Sequence, residues 1–106
     1  LLRAGEIVAG RETARSRRPT SRSDADLARG PARLCKALGI TLADNGLNLE
    51  TGRARLRLAE HPVPYLSGPR TGVSGLGGGV EYPWRFWIDR DPTVSPYRPH
   101  QPRQRR

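Results

Sequence analysis

The chain is poor in the residues that build disulfide or metal frameworks. Among its 106 residues there is one cysteine, Cys35, which excludes an internal disulfide framework and a cysteine-based zinc cluster. His61 and His100 have no Asp, Glu or Cys at ligand spacing, which argues against a metal site. No apolar run approaches the roughly 20 residues that a membrane-spanning helix needs, so we expect no membrane partner.

Lysine is also nearly absent, although the chain is strongly basic. Of the 19 basic residues, 18 are arginine and one is Lys36; with 10 acidic residues the net charge is +9. An arginine bias of this kind is also typical of GC-rich genomes, and that explanation stays open. The isoelectric point near 11.3 predicts a polyanionic partner.

Large aliphatic residues are scarce, and methionine is missing altogether. Leu, Ile, Val and Phe together number 21, which places this charged composition close to that of disordered chains. The length allows one domain at most. We assign it to residues 1–95, and we predict that residues 96–106 form a basic, proline-punctuated, disordered tail.

The clearest local signal is a short helix from Pro31 to Leu38. Pro31 suits the first helical position, and Gly39 suits the left-handed conformation that ends a helix. Leu34 and Leu38 are four residues apart, so we expect them to share a buried face. The free N–H groups at Gly30 and Ala32 would suit a phosphate, although surface helices with two cations are common.

Other segments predict strands, turns and loops. Residues 53–58 and 84–88 alternate apolar and polar side chains as half-buried strands do, and residues 1–8 read as strand broken at Gly5. The arginines of 53–58 either line a nucleic-acid groove or face solvent. The arginine-rich stretch after Gly10 predicts a short helix running into a loop, and residues 44–46 predict a turn. Residues 72–79 are glycine-rich but lack the Lys-Ser/Thr ending of a phosphate-binding loop.

Several segments resemble the alkyladenine (3-methyladenine) DNA glycosylase family. Residues 26–40 are similar to its Gly-Pro-x-Lys/Arg-Leu-x-x-Ala-Leu segment, and residues 70–73 to its Arg-x-Gly-Val segment. Residues 83–88 resemble its Pro-x-Arg-Phe-Tyr/Trp segment, and 91–95 its Pro-x-Val-Ser ending. Residues 1–4 fit the family strand that carries a catalytic-site arginine. The segments follow the family's order; positions 41–69 match weakly and the tail does not match.

The resemblance implies both a fold and an activity. The fold is α+β, with short helices against a curved, mostly antiparallel sheet. The activity is base excision repair: the enzyme flips an alkylated or deaminated purine out of double-stranded DNA and hydrolyses its N-glycosidic bond. The implied enzyme is monofunctional, needs no metal, cofactor or Schiff-base lysine, and works as a monomer in the bacterial cytoplasm, at the nucleoid.

The resemblance also implies roles for particular residues. Arg3 would help to hold the catalytic glutamate and the attacking water, and the backbone carbonyl of Thr71 would accept a hydrogen bond from that water. The remaining implied site residues contact the DNA backbone: Gly30, Ala32, Arg33, Lys36 and Gly72.

The chain departs from the family pattern in one respect. The family's general-base glutamate, its base-stacking aromatics and its tyrosine wedge all precede the strand that matches residues 1–4, and neither Glu6 nor Glu12 takes the catalytic position. We therefore expect an incomplete single domain, the C-terminal half of a glycosylase, with little turnover by itself. The alternatives are a non-catalytic basic nucleic-acid-binding remnant with salt-dependent, sequence-blind binding, and a ribosome-associated polyanion binder supported by charge alone.

Overall fold

The computed structural model describes residues 1–98, which contain two short helices, two short strands and two 3₁₀ turns. The elements are α1 (Arg11–Arg17), α2 (Pro31–Leu38), a 3₁₀ turn (Leu42–Asp44), β1 (Leu66–Gly68), a second 3₁₀ turn (Leu76–Gly78) and β2 (Arg85–Trp87). The predicted α+β class is confirmed. The residues form two compact units: Leu1–Pro62 with Pro92–Val94, hereafter the helical unit, and Val63–Asp91 with residues 95–98, hereafter the sheet unit.

The helical unit has a small core of mostly small side chains. Its buried apolar residues are Ile7, Ala14, Leu27, Ala28 and Ala37, with Leu34 packed against them. The helices α1 and α2 pack against each other, and each buries one alanine, Ala14 or Ala37, whose short side chain lets two backbones approach. Burial of Leu27, whose exposed fraction is 0%, stabilises the unit by about 2 kcal/mol on transfer scales.

Both predicted ends of α2 are confirmed. Pro31 occupies the first turn, and Gly39 caps the helix in the left-handed conformation with φ 69°. The prediction that Leu34 and Leu38 share a buried face is half right, because Leu34 packs on the core while Leu38 stays 46% exposed. Ala37 takes the buried position instead, with an exposed fraction of 2%.

The predicted strand at residues 53–58 is wrong. These residues lie outside every helix and strand of the described chain, and Leu58 is 82% exposed. A strand needs a series of backbone hydrogen bonds to a neighbouring strand. Within residues 1–98, this segment has one backbone hydrogen bond, from the Leu56 N–H to the Leu49 carbonyl. Arg53 folds back instead and donates to both carboxylate oxygens of Asp44.

The strand reading of residues 1–8 reduces to a single antiparallel bridge. Ala4 pairs with Arg29, and the N–H of Gly5 donates to the Ala28 carbonyl at 3.2 Å.

The predicted turn at residues 44–46 is confirmed: the Leu47 N–H donates to the Asp44 carbonyl at 3.0 Å, and Gly46 has φ 80°. The helix predicted after Gly10 is confirmed as α1.

The sheet unit is built on one antiparallel pair of strands. Leu66 pairs with Trp87 and Gly68 with Arg85, so β2 confirms the centre of the strand predicted at residues 84–88. Alternation sends Arg85 and Trp87 to one face and Phe86 to the other. Phe86 is 61% exposed and forms a T-shaped contact with Tyr65, at a ring-centroid separation of 5.7 Å.

The chain after Pro96 has two described residues, Tyr97 and Arg98. Tyr97 stacks on Trp87 with ring centroids 4.7 Å apart. The remainder of the predicted tail, 99–106, lies outside the described residues, so the boundary between domain and tail stays a prediction. Within the described chain, none of the helices has the length and apolarity needed to cross a membrane.

Candidate nucleic-acid interface

The bridge between Ala4 and Arg29 brings two predicted site residues together. Because the pairing is antiparallel, the residue before Ala4 lies across from the residue after Arg29. Arg3, whose side chain is exposed, therefore lies opposite Gly30, where α2 begins. The fold thus places a cation predicted for catalysis beside a helix start predicted for phosphate contact.

The first turn of α2 is open to an anion. Gly30 adopts φ 124°, which favours glycine, and no side chain caps the helix. Pro31 has no N–H, and the first N–H that reaches back into the helix is that of Leu34, which donates to the Gly30 carbonyl at 2.8 Å. The N–H groups of Ala32 and Arg33 precede that bond, at the positive end of the helix dipole.

Arg33 is held by an acidic neighbour. Its Nη1 donates to the Asp26 carboxylate at 2.5 Å, while its own side chain remains 49% exposed. Burial acts to raise the pKa of Asp26, but hydrogen bonds from Ser21 and Arg18 and the nearby guanidinium charges more than offset this, so the pKa lies below its ordinary value. Asp26 therefore orients Arg33 as a charged partner while offsetting part of its charge.

Lys36 is a second exposed cation on α2. It lies on α2 three residues after Arg33, so the two side chains share a helix face. Lys36 is exposed, and within residues 1–98 it forms no ion pair. Of the predicted backbone contacts, Gly30, Ala32 and Arg33 thus lie at the start of α2, near Arg3, while Lys36 lies in the last turn of the same helix.

Arg18 holds the backbone that leads into this surface, and the sequence did not predict this role. It is 8% exposed, and its Nη1 donates to the carbonyl of Leu27 at 3.1 Å and to that of Asp26. These bonds hold the turn that leads into the bridge at Arg29 and so to the start of α2. An arginine in a basic stretch resembles any solvated cation, so the sequence carried no signal of its burial.

Thr71 and Gly72, the other predicted site residues, lie in the sheet unit. The Thr71 hydroxyl donates to the Arg98 carbonyl at 2.8 Å and accepts from Nη1 of Arg85 at 3.1 Å. Gly72 is exposed, with φ 77° and open space around its Cα. The structure therefore places these two in one turn, and the helical residues in a separate cluster.

Arg85 and Tyr97 are the functional candidates of the sheet unit that sequence reasoning did not select. Arg85 stands in the segment that resembles the family's Pro-x-Arg-Phe motif, and that motif was the available signal. Tyr97 has none, because it lies among the basic and proline residues after Pro96, outside the segments that resemble the family. Within residues 1–98, no three His, Cys, Asp or Glu side chains are grouped closely enough to hold a metal ion.

An open helix start flanked by exposed cations on a small α+β scaffold is the class of surface that accepts nucleic-acid phosphates. Residues 1–92 match the family model of the methylpurine-DNA glycosylases. The chain belongs to the methylpurine-DNA glycosylase (MPG) family, which bears out the family resemblance of its motifs.

Curated relatives agree with this assignment. The chain is 56% identical to a Streptomyces avermitilis protein over all of its own length and 51% of the relative's. It is 49% identical to one from Leifsonia xyli subsp. xyli, over 94% of the chain and 49% of the relative, and 52% identical to one from Nocardia farcinica, over 92% and 47%. Each is named "Putative 3-methyladenine DNA glycosylase". The chain spans about half the length of the curated relatives it matches.

Proposed function

We propose that this chain forms the C-terminal half of a DNA glycosylase that removes alkylated or deaminated purines during base excision repair. The observation that carries the proposal is the family match over residues 1–92. The bridge at Ala4, which aligns Arg3 with the start of α2, supports it. The proposed partner is duplex DNA with a damaged purine, and the proposed setting is a monomer in the bacterial cytoplasm.

The proposed reaction hydrolyses the bond between the sugar C1′ and the purine nitrogen of a flipped nucleotide. A glutamate from the part of the protein that precedes this half accepts a proton from water. The water oxygen then bonds to C1′, and the electron pair of the broken bond leaves on the purine. In this proposal Arg3 orients the glutamate and the water, and the Thr71 carbonyl accepts the water's second O–H.

The residues of α2 have a separate proposed role, on the DNA backbone. The N–H groups of Ala32 and Arg33, the approach at Gly30 and the ammonium of Lys36 would contact phosphates, and Gly72 would let DNA approach the second unit. Such contacts set register and affinity without reading sequence. They would hold the duplex while the damaged nucleotide is extruded.

The test is base release by a fusion protein in which the part of the Streptomyces avermitilis relative outside the matched region precedes residues 1–106. The substrate is duplex DNA with one hypoxanthine or 3-methyladenine, and the product is an abasic site cleaved by alkali. We expect release by the fusion protein and little by residues 1–106 alone. Arg3→Ala should slow release by about 100-fold, because a misplaced water attacks poorly.

Arg22→Ala is the matched control, because Arg22 is an exposed arginine outside the proposed site. It should leave the rate of base release unchanged. A folded fusion protein that released no alkylated or deaminated purine would contradict the proposal.

The net charge of +9 favours a second function, nucleic-acid binding without catalysis. It predicts that residues 1–106 bind duplexes of unrelated sequence equally well, with an affinity that falls steeply with salt. An affinity indifferent to salt would contradict this alternative. Base release by the fusion protein would mean that this binding serves a glycosylase and is not a separate function.

A further inference from the structure

Arg85 joins three separate segments of the sheet unit. Its Nη1 donates to the Thr71 hydroxyl at 3.1 Å, and its Nη2 donates to the Ser95 carbonyl at 3.3 Å. The Thr71 hydroxyl in turn donates a hydrogen bond to the Arg98 carbonyl at 2.8 Å. A planar guanidinium with several fixed donors can make both of its bonds at once, whereas an ammonium cannot hold that fork.

Two aromatic rings fix the guanidinium in place. Its central carbon lies 5.1 Å from the ring centroid of Tyr97 and 5.5 Å from that of Trp87. The two rings are nearly parallel, at 18°. Both distances lie within the range of cation–π attraction. The two rings therefore hold the Arg85 guanidinium in addition to its two hydrogen bonds.

The same cluster holds the chain two residues before Thr71. The Tyr97 hydroxyl donates to the Pro69 carbonyl at 2.9 Å. The segment from Pro69 to Thr71 is thus tied at one end through Tyr97 and at the other through Arg85. Beyond it, Gly72 has open space around it, so the contacts of Arg85 and Tyr97 restrain the side of the turn that precedes Gly72.

We propose that Arg85 is a positioning residue that sets the orientation of the Thr71 backbone. The inference rests on the proposed function, in which the Thr71 carbonyl accepts a hydrogen bond from the attacking water. Arg85 touches neither water nor substrate in this proposal. It binds the Thr71 side chain, and the side chain limits the rotation of the peptide that carries the carbonyl.

The test compares Arg85→Lys, Thr71→Val and the double variant in the fusion protein, by single-turnover base release. Arg85→Lys keeps the charge but loses the fork, and Thr71→Val keeps the carbonyl but loses the hydroxyl. We expect each to lower the rate constant by about 10- to 100-fold with KM for DNA unchanged. The double variant should be no slower than the slower single, because both remove the same restraint.

Two further measurements separate positioning from stability. Arg90→Lys is the matched control, since Arg90 is in the same unit with a side chain 92% exposed, and its rate should equal the wild type. Base release is compared at a temperature where circular dichroism shows both variants to be fully folded, so that a slower rate for Arg85→Lys reports on positioning and not on the folded fraction.

The outcomes distinguish the two proposals. A wild-type fusion protein that releases no base would contradict the proposed function and this inference with it. An active wild type whose Arg85→Lys variant releases base equally fast would contradict the inference alone. So would rate losses that multiply in the double variant, because independent effects mean that Arg85 does not act through Thr71.

Discussion

Nη1 of Arg17 donates to the backbone carbonyl of Ala37 at 3.0 Å, so α1 binds the C-terminal end of α2. The bond satisfies one of the carbonyls that the end of a helix leaves without a partner, and it places a positive charge at the negative end of the helix dipole. The guanidinium also lies over Gly39, where a Cβ atom would stand 2.9 Å from its central carbon.

Gly39→Ala should therefore destabilise the protein more than a comparable substitution elsewhere. An alanine there would adopt a left-handed φ and also displace Arg17 from Ala37. Gly46→Ala is the matched control, because Gly46 has φ 80° with open space around it. We expect a loss of about 1 kcal/mol for the control and about 1 kcal/mol more for Gly39→Ala.

Urea unfolding of the fusion protein, followed by circular dichroism, measures both losses. Equal losses would show that the contact between Arg17 and Gly39 contributes nothing. A larger loss for Gly46→Ala would contradict the packing of α1 on α2.

Arg18→Ala should be among the more destabilising arginine substitutions in the chain. The change leaves the carbonyls of Asp26 and Leu27 without their donor in a buried setting, which costs about 2 kcal/mol. Arg22→Ala, on the exposed surface four residues later, should cost almost nothing. Scanning calorimetry of the fusion protein should show a fall in Tm of about 4 to 8 °C for Arg18→Ala; identical Tm values would contradict the role of Arg18.

The sequence predicted those elements whose signals are local. Pro31 and Gly39 bound α2 because each has a backbone preference that acts without distant partners. The strand predicted at residues 53–58 failed because a strand depends on a neighbour that periodicity cannot supply. The contacts of Arg18 and Arg85 were not predictable, since whether an arginine is solvated or holds backbone carbonyls depends on which segments the fold brings to it.

Asp44→Asn should remove a pH-dependent part of the stability. The hydrogen bond from Arg53 is the main reason that the pKa of Asp44 lies below its ordinary value of 3.8, and the Thr41 N–H lowers it further. A lowered pKa in the folded state stabilises the protein above pH 3.8, and the stabilisation is lost as the pH falls through the lowered pKa. The Tm of Asp44→Asn should therefore lie below wild type at pH 7, and the gap should close in acid.

A series of Tm values from pH 7 to pH 2 makes this comparison. Glu60→Gln is the control, because this exposed carboxylate has no ion pair within residues 1–98. A gap for Asp44→Asn that stays constant down to the lowest pH would contradict the ion pair with Arg53.

Tyr97→Phe separates the contact of the hydroxyl from those of the ring. It removes the hydrogen bond to the Pro69 carbonyl and keeps the ring, which stacks on Trp87 and lies beside the Arg85 guanidinium. We expect a loss of about 1 kcal/mol in the free energy of unfolding. Tyr97→Leu removes the hydroxyl and both ring contacts, and should cost about 1 kcal/mol more. Tryptophan fluorescence during urea unfolding reports on this unit; equal losses in the two variants would mean that the ring contacts contribute nothing.

Lys36 and Arg33 should differ in what they contribute to DNA binding, although they share a face of α2. Lys36 has no ion pair within the described residues. A phosphate that contacts Lys36 therefore interacts with a full positive charge. Arg33 already binds Asp26, and a phosphate must share it with that carboxylate. Lys36→Gln should therefore lower the slope of log affinity against log salt by about 0.9, the value for one released counterion.

Arg33→Gln should lower the slope by clearly less, because its charge is partly neutralised before DNA arrives. Binding of the fusion protein to an undamaged duplex between about 50 and 200 mM salt gives both slopes. Arg57→Gln changes an exposed arginine that is not among the proposed phosphate contacts; it is the control and should leave the slope unchanged. Asp26→Asn frees Arg33 while leaving its position on the helix, so it should raise the slope. Equal slopes for all four variants would mean that DNA does not contact this face of α2.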